Sequence, residues 1–286
     1  MNKISIVTDT DASLPPELAK KYNIRLVPIS IHFDEEVLRT GIDVDDASLF
    51  PRIETLGKLP TTAAPSPGDF AKAFQDCFEK DQADQVLCFV VSSEVSGTYD
   101  SALIAANEVM PDKDITVINT LSLSMGQGYM ALLAAEALAR GASSETAIAA
   151  ADQLRDRTFL FGALSTLKFL AMGGRVSHMT AEMAGLLNIK PILTIKDGKL
   201  DMLEKVRTKK KAWARIMELT AEAAGDKPIE RMSILHVACP EDAELLKQQL
   251  TKTLHCPDEI HVTELTPGLS VHTGPGFVGV VFVHGE

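Results

Sequence analysis

At 286 residues, with 45% hydrophobic and 23% charged side chains, the chain has the composition of an ordinary globular protein with ample core and the length of about two domains. A formal net charge of -11 at pH 7 argues against a nucleic-acid partner, because binding to a phosphate backbone runs on Lys and Arg. The four cysteines, Cys77, Cys88, Cys239 and Cys256, show no CxxC or Cys/His spacing of a zinc site, so they read as reduced and structural, and no metal is expected.

The first residues turn acidic at Asp9 and Asp11 and lack the apolar core of a signal peptide. No run approaches the roughly 18 apolar residues of a membrane span, and a cytoplasmic protein is expected. Residues 4–7 read as a buried strand, followed by a helix entered through Leu14-Pro15-Pro16 with Ser13 as its cap. A second strand is expected over 25–33, a turn over 34–36 and a helix over 43–53. Residues 59–70 form a loop rich in prolines and hydroxyls that opens a helix at Pro67, with Ser66 as cap and Asp69 in the favourable first turn.

An apolar run over 86–91 then stops abruptly in Ser92-Ser93-Glu94-Val95-Ser96-Gly97-Thr98. That is a strand end feeding a helix, with Ser96 as N-cap. Free amides at such a start, beside serine hydroxyls, can hold a carboxylate or phosphate; the same serines can equally do no more than cap a βα turn. A strand over 115–118, a long apolar helix over 121–139 and a helix over 144–156 follow. Strand alternating with helix is the pattern of a parallel sheet wrapped by helices. Neither GxGxxG nor GxxxxGK[ST] occurs, so the chain is not expected to bind a nucleotide itself and no cofactor is implied.

A second unit begins near Thr158. It reads as a strand over 159–164, a helix over 166–172 stopped by Gly173-Gly174, an apolar helix over 179–187 capped by Ser177, and a hairpin formed by 191–196, Asp197-Gly198 and 199–206. Helices over 208–224 and 241–250 and strands over 233–237, 259–265 and 278–283 complete it. The expected fold is α/β in two domains: an N-terminal parallel-sheet α/β domain over 1–157, and a C-terminal domain over 158–286 with a mixed or antiparallel sheet and helices.

Thr8-Asp9, Thr62-Ala63-Ala64-Pro65-Ser66, Ser92-Ser93-Glu94-Val95-Ser96-Gly97-Thr98-Tyr99, Ser124-Met125-Gly126-Gln127-Gly128, Gly173-Gly174-Arg175-Val176-Ser177, Lys190-Pro191-Ile192-Leu193, Lys205-Val206-Arg207-Thr208 and His272-Thr273-Gly274-Pro275-Gly276 stand in the order and spacing of the DegV family. The chain resembles that family over almost its whole length. The resemblance implies a bacterial fatty-acid-binding protein of two α/β domains with the acyl chain buried between them. Such a protein is not itself an enzyme: it presents its fatty acid to a separate fatty acid kinase, which uses ATP to make an acyl phosphate for lipid synthesis. By the same resemblance Thr62 hydrogen-bonds the carboxylate, Ser93 is its partner and His272 lies near the headgroup. Ser92 can exchange roles with Ser93, and Thr61 with Thr62. Two places depart from the pattern: Ala63-Ala64 stands where Ser-Gln is common, and Asn119-Thr120 where Asp-Ser is usual.

A carboxylate shielded from water needs donors, since leaving it unpaired costs several kcal/mol. Hydroxyls and an imidazole supply them without a tight arginine pair, which would weaken the carboxylate as a nucleophile. Burying a sixteen-carbon tail contributes roughly 11 kcal/mol gross, at about 0.8 kcal/mol per CH₂. Leu121, Met125, Phe161, Leu164, Phe169, Met172, Met179, Met183 and Leu186 are candidate tunnel walls, or plain interdomain core. Without the resemblance, His272 reads as a turn or cap residue, and His32, His178 and His236 read as structural. Lys205, Arg207, Lys209, Lys210, Lys211 and Arg215 form the one basic cluster. It is either a solvated helix face or a docking face for the kinase, with Arg207 the first candidate and Arg175 the second. Two other classes stay open: a carrier or sensor of a different apolar acid, and a Ser/His acyl hydrolase using Ser93 and His272. Against the hydrolase stands the missing G-x-S-x-G elbow.

Overall fold

A computed structural model describes residues 3–174 and 189–285. The expected helix over 179–187, its cap Ser177, the histidine His178 and the wall candidates Met179, Met183 and Leu186 lie outside the described residues, as does Arg175.

β1 (Ile4–Asp9) passes through one 3₁₀ turn into α1 (Pro16–Lys21), and β2 (Arg25–Val27) returns parallel to it. Ser13 does not cap α1. It ends the 3₁₀ turn in the left-handed region at φ 47. The strand expected over 25–33 is broken at Pro28, which has no N–H for the ladder. Past it the chain leaves the parallel sheet and starts a separate antiparallel one, order β4-β3-β5, from β3 (Ser30–Phe33), β4 (Glu36–Arg39) and β5 (Thr61–Ala63). Between β4 and β5 lies α2 (Asp46–Leu56), and α3 (Pro67–Glu79) follows. The start of α3 is a full capping box: Asp69 N donates to Ser66 Oγ at 3.1 Å and Ser66 N to Asp69 Oδ2 at 2.9 Å.

β6 (Gln85–Val90), α4 (Thr98–Ile104), β7 (Ile115–Asn119), α5 (Met125–Ala139) and α6 (Ser144–Asp156) complete a four-stranded parallel sheet of order β2-β1-β6-β7 with its helices. α4 starts at Thr98 with Gly97 as its N-cap and no side-chain cap. Ser96 lies one residue too early and accepts instead from Thr98 N at 3.3 Å. One face of this sheet packs Val7, Val86, Cys88 and Val90 on Phe70, Phe74 and Ala102 of α3 and α4. The other face turns Ile6, Leu87 and Phe89 towards α5. α5 is buried on nearly every side, as a helix apolar all round must be.

The second sheet has six strands in the order β10-β9-β8-β13-β11-β12. They are β8 (Thr158–Ala163), β9 (Lys190–Lys196), β10 (Lys199–Val206), β11 (Ile229–His236), β12 (Ile260–Glu264) and β13 (Val278–His284), paired antiparallel except for β11 and β12. α7 (Lys168–Met172), α8 (Lys209–Ala224), α9 (Pro240–Thr253) and α10 (Pro267–Thr273) accompany them. Strand alternation sends Phe161, Ile192, Ile234 and Val280 to the face covered by α8 and α9. Leu160, Leu193, Leu235 and Val281 go to the opposite face and join the core that contains α5.

Side-chain contacts join the two sheets' layers. Arg231 of β11 makes a bidentate pair with Glu136 of α5, at 2.6 and 3.2 Å, and Tyr129 Oη lies 2.7 Å from Ser233 Oγ. The β9–β10 turn docks on the loop after β6, where Ser92 Oγ donates to Gly198 O at 2.7 Å. Gly198 has φ +77, and a Cβ there would lie 2.6 Å from Ser92 Oγ, so glycine is required for both reasons. Among the described residues no helix is long and apolar enough to cross a membrane.

Candidate functional site

Between the α5-facing side of the six-stranded sheet and the loops of the parallel sheet lies a cavity of about 130 Å³. Leu160, Leu193, Leu200 and Leu235 from the sheet, with Leu170 and Phe277, form its apolar wall. Its hydroxyl and imidazole groups come from four places: Thr62 on β5, Ser96 before α4, Ser124 before α5, and His272 with Thr273 at the end of α10. Asp11 lines it as well.

Thr62 is positioned by β5, whose backbone pairs Thr62 with Ile31 of β3. His272 is positioned by α10, a seven-residue helix opened by Pro267 and ended by Gly274 at φ 77. The two side chains meet, with Thr62 Oγ1 3.0 Å from His272 Nε2. A Cβ on Gly274 would fall 2.2 Å from the Phe169 ring and one on Gly173 2.2 Å from His272 Nδ1. The Gly173 backbone therefore packs directly on the imidazole, and the Gly274 backbone on the Phe169 ring beside it. Behind α10, Ser270 Oγ donates to the buried Asp46 carboxylate of α2. Burial pushes the Asp46 carboxyl up to about 7, against the lowering effect of Ser270, with the Glu264 and Asp45 charges adding to the rise.

Asp9 holds the other side of the site together. Its carboxylate accepts from Asp11 N at 2.9 Å, Val91 N at 2.8 Å and Gln127 Nε2 at 2.9 Å, which ties the end of β1 to the loop after β6 and to the first turn of α5. Complete burial raises it to about 6 despite those three donors.

The remaining candidates fall elsewhere. Ser93 is exposed and lies outside the cavity lining, because Asn119 at the end of β7 takes it: Ser93 Oγ accepts from Asn119 Nδ2 at 2.7 Å and Ser93 N donates to Asn119 Oδ1 at 3.2 Å. Of the three residues expected at the headgroup, Thr62 and His272 are brought together and Ser93 lies apart from them. Ser92 is buried but faces the hairpin turn. Thr61 points away from Thr62 by strand alternation and lines a separate hollow with His32 and Lys58.

The described wall candidates are corrected in the same way. Leu121, Met125, Phe161, Leu164, Phe169 and Met172 do not line the cavity, whereas Leu123, Leu160 and Leu170 do. Phe161 is on the far face of β8 beside Phe159 and Phe282, and Met172 is 56% exposed. Of the basic cluster, Lys209 pairs with Asp242, and Arg215 with Glu204, Glu218 and Glu222. Arg207, Lys210 and Lys211 are exposed and make no ion pair among the described residues. Ser124 and Asp11 are lining residues to which the sequence gives no ligand role, and Ser96 lines the cavity from the helix start read as an anion-holding candidate.

These features define an α/β protein in which a parallel sheet and a mixed six-stranded sheet close over an apolar cavity with a hydroxyl and imidazole pair at its edge. The family model described as "Uncharacterised protein, DegV family" matches residues 3–285, and the chain belongs to the DegV family. A DegV domain-containing protein of Streptomyces coelicolor is 33% identical over 278 residues, covering 97% of each chain. A solved DegV-family structure from Thermus thermophilus, described as showing fatty acid binding, superposes with a TM-score of 0.91 at 32% identity, over 99% of this chain and 100% of that one. The structure of DegV from Bacillus subtilis, described as a fatty acid binding protein, superposes with a TM-score of 0.89 at 28% identity over the whole of both chains.

Proposed function

We propose that the protein binds a long-chain fatty acid, with the tail against the leucine wall and the carboxylate at Thr62 and His272, and presents that carboxylate to a separate fatty acid kinase for ATP-dependent acyl phosphate formation in the cytoplasm. In this reading residues 1–157 and 158–286 are two domains and the ligand lies between them. The observation that carries it is the Thr62–His272 pair at 3.0 Å on the edge of a cavity walled by leucines. Family membership and the fatty-acid-binding relatives support the ligand class. A tail buried at about 0.8 kcal/mol per CH₂ dominates affinity, and the two polar side chains orient the acid. His272 bonds Thr62 rather than Ser93, which favours binding over hydrolysis.

Two results are expected. Mass spectrometry of extracts from purified protein finds a long-chain fatty acid, and Thr62→Val weakens palmitate binding by about 1 to 3 kcal/mol, the loss of one donor to a shielded carboxylate. An empty extract with no uptake of added palmitate would sink the reading. The kinase is proposed to dock on the exposed cations at the start of α8. Arg207→Ala should therefore leave palmitate affinity unchanged and slow acyl phosphate formation by a cognate kinase, and the wild-type rate should fall as salt rises. An unchanged rate for the variant with a salt-insensitive wild type would assign those cations to solvent.

A further inference from the structure

Ser124 immediately precedes α5, and three features set it apart. Its side chain is completely buried and lines the cavity with Thr62, Ser96 and His272. The hydroxyl has no hydrogen-bond partner among the described residues. The backbone sits at φ 52, ψ -145, a region that glycine occupies freely and serine does not. Ser124 N donates to Asp11 O at 2.8 Å, and this holds the residue in that conformation.

Ser124 also occupies the N-cap position of a 15-residue helix without capping it, since its side chain accepts from none of the first amides of α5. The positive end of the helix therefore meets the cavity wall without a cap from its own N-cap residue. A serine whose only duty were structural would turn its hydroxyl onto those amides, and a glycine would remove the strain. A buried hydroxyl that does neither is poised to donate to something that enters the cavity.

We propose that Ser124 is a further headgroup contact of the acyl ligand. Its Oγ–H donates to one oxygen of the carboxylate, favoured by the α5 terminus behind it, while Thr62 and His272 hold the other. The Asp11 carboxylate lines the same cavity, so an anion bound there needs more donors than Thr62 and His272 alone, and Ser124 supplies one. The assignment rests on the fatty-acid reading above.

The test uses the full chain stripped of lipid, with wild type, Thr62→Val, Ser124→Ala and Ser124→Gly titrated with palmitate and with methyl palmitate, alongside thermal melts. Both Ser124 variants should bind palmitate about tenfold more weakly, while their affinity for the ester, which has no carboxylate, should stay within about twofold of wild type. Ser124→Gly should melt at or above wild type, because it relieves the backbone, so a loss of palmitate binding in that variant is not a loss of fold. Wild-type palmitate affinity in either Ser124 variant, or an equal loss for acid and ester, overturns the contact. If Thr62→Val is weakened and the Ser124 variants are not, the contact fails and the fatty-acid reading stands. A wild type that takes up no palmitate overturns both.

Discussion

Asp9→Ala lowers the stability of the chain by about 3 to 5 kcal/mol, seen as a fall in the urea midpoint with little change in slope. The reason is the number of donors that share one acceptor group. Asp11 N, Val91 N and Gln127 Nε2 all point at this carboxylate; in the variant the two backbone amides lose their acceptor and the amide of Gln127 keeps only Thr8 Oγ1, all in a fully buried place. Each buried donor left unsatisfied costs about 1 to 3 kcal/mol. Part of that is offset, because the substitution also removes a charge that burial disfavours, as the rise of the Asp9 carboxyl to about 6 shows. Geometry decides the net sign, since three donors outweigh one charge. Asp9 fixes the loop that carries Asp11 and reaches α5 through Gln127, so the variant should lose ligand binding along with stability. A midpoint within experimental error of wild type would mean that these three bonds are not formed together in solution.

The parts of the fold legible in the sequence are those decided by neighbouring residues. Ser66, Pro67 and Asp69 specify a helix start on their own, and Asp197-Gly198 specifies a hairpin turn, found with φ 50 and 77. Thr208 likewise caps α8 by accepting from Lys211 N at 3.2 Å. Pro28 carried a legible warning that one continuous strand over 25–33 would fail. What stayed hidden depends on partners distant in the chain. β5 has three residues and forms because β3 is beside it, so nothing in its own two threonines and alanine marks it. α10 has seven residues and no apolar stripe long enough to show a period, which leaves His272 looking like a turn residue. In β8, Phe159-Leu160-Phe161 is apolar throughout because both faces of the strand are covered. Alternation then cannot tell which side meets the cavity. The three serines of the loop after β6 are alike in sequence, and only the reach of Asn119 from β7 decides that Ser93 turns outward.

Asp46→Asn has the opposite sign, stabilising the chain by on the order of 1 to 3 kcal/mol at pH 8 and by almost nothing near pH 4. Asp46 is 2% exposed and its carboxyl is raised from 3.8 to about 7, chiefly by burial and then by the nearby Glu264 and Asp45 charges. Between those two values the folded chain holds a proton that the unfolded chain has released. Stability therefore falls as pH rises from about 4 to about 7 and is level above that. Asparagine cannot ionise, so it removes this slope. Its Oδ1 can still accept from Ser270 Oγ, and its amide takes the place of Asp46 Oδ2, which has no partner among the described residues. The gain is held below the full ionisation penalty, about 4 kcal/mol at roughly 1.4 kcal/mol per pH unit, because the new amide is itself buried without an acceptor. The wild type keeps a smaller slope of the same sign from Asp9 between about 4 and 6, and the variant retains that part. Chemical denaturation of both proteins at pH 4.5, 6 and 8 checks the prediction. Parallel stability curves across that range would show that the Asp46 proton is not linked to folding. Ser270 lies two residues before His272 on α10, so palmitate binding measured on the same samples reports whether the Asp46 carboxylate also sets the position of the imidazole. Because the introduced amide oxygen accepts the same hydrogen bond, affinity in Asp46→Asn should stay at the wild-type value.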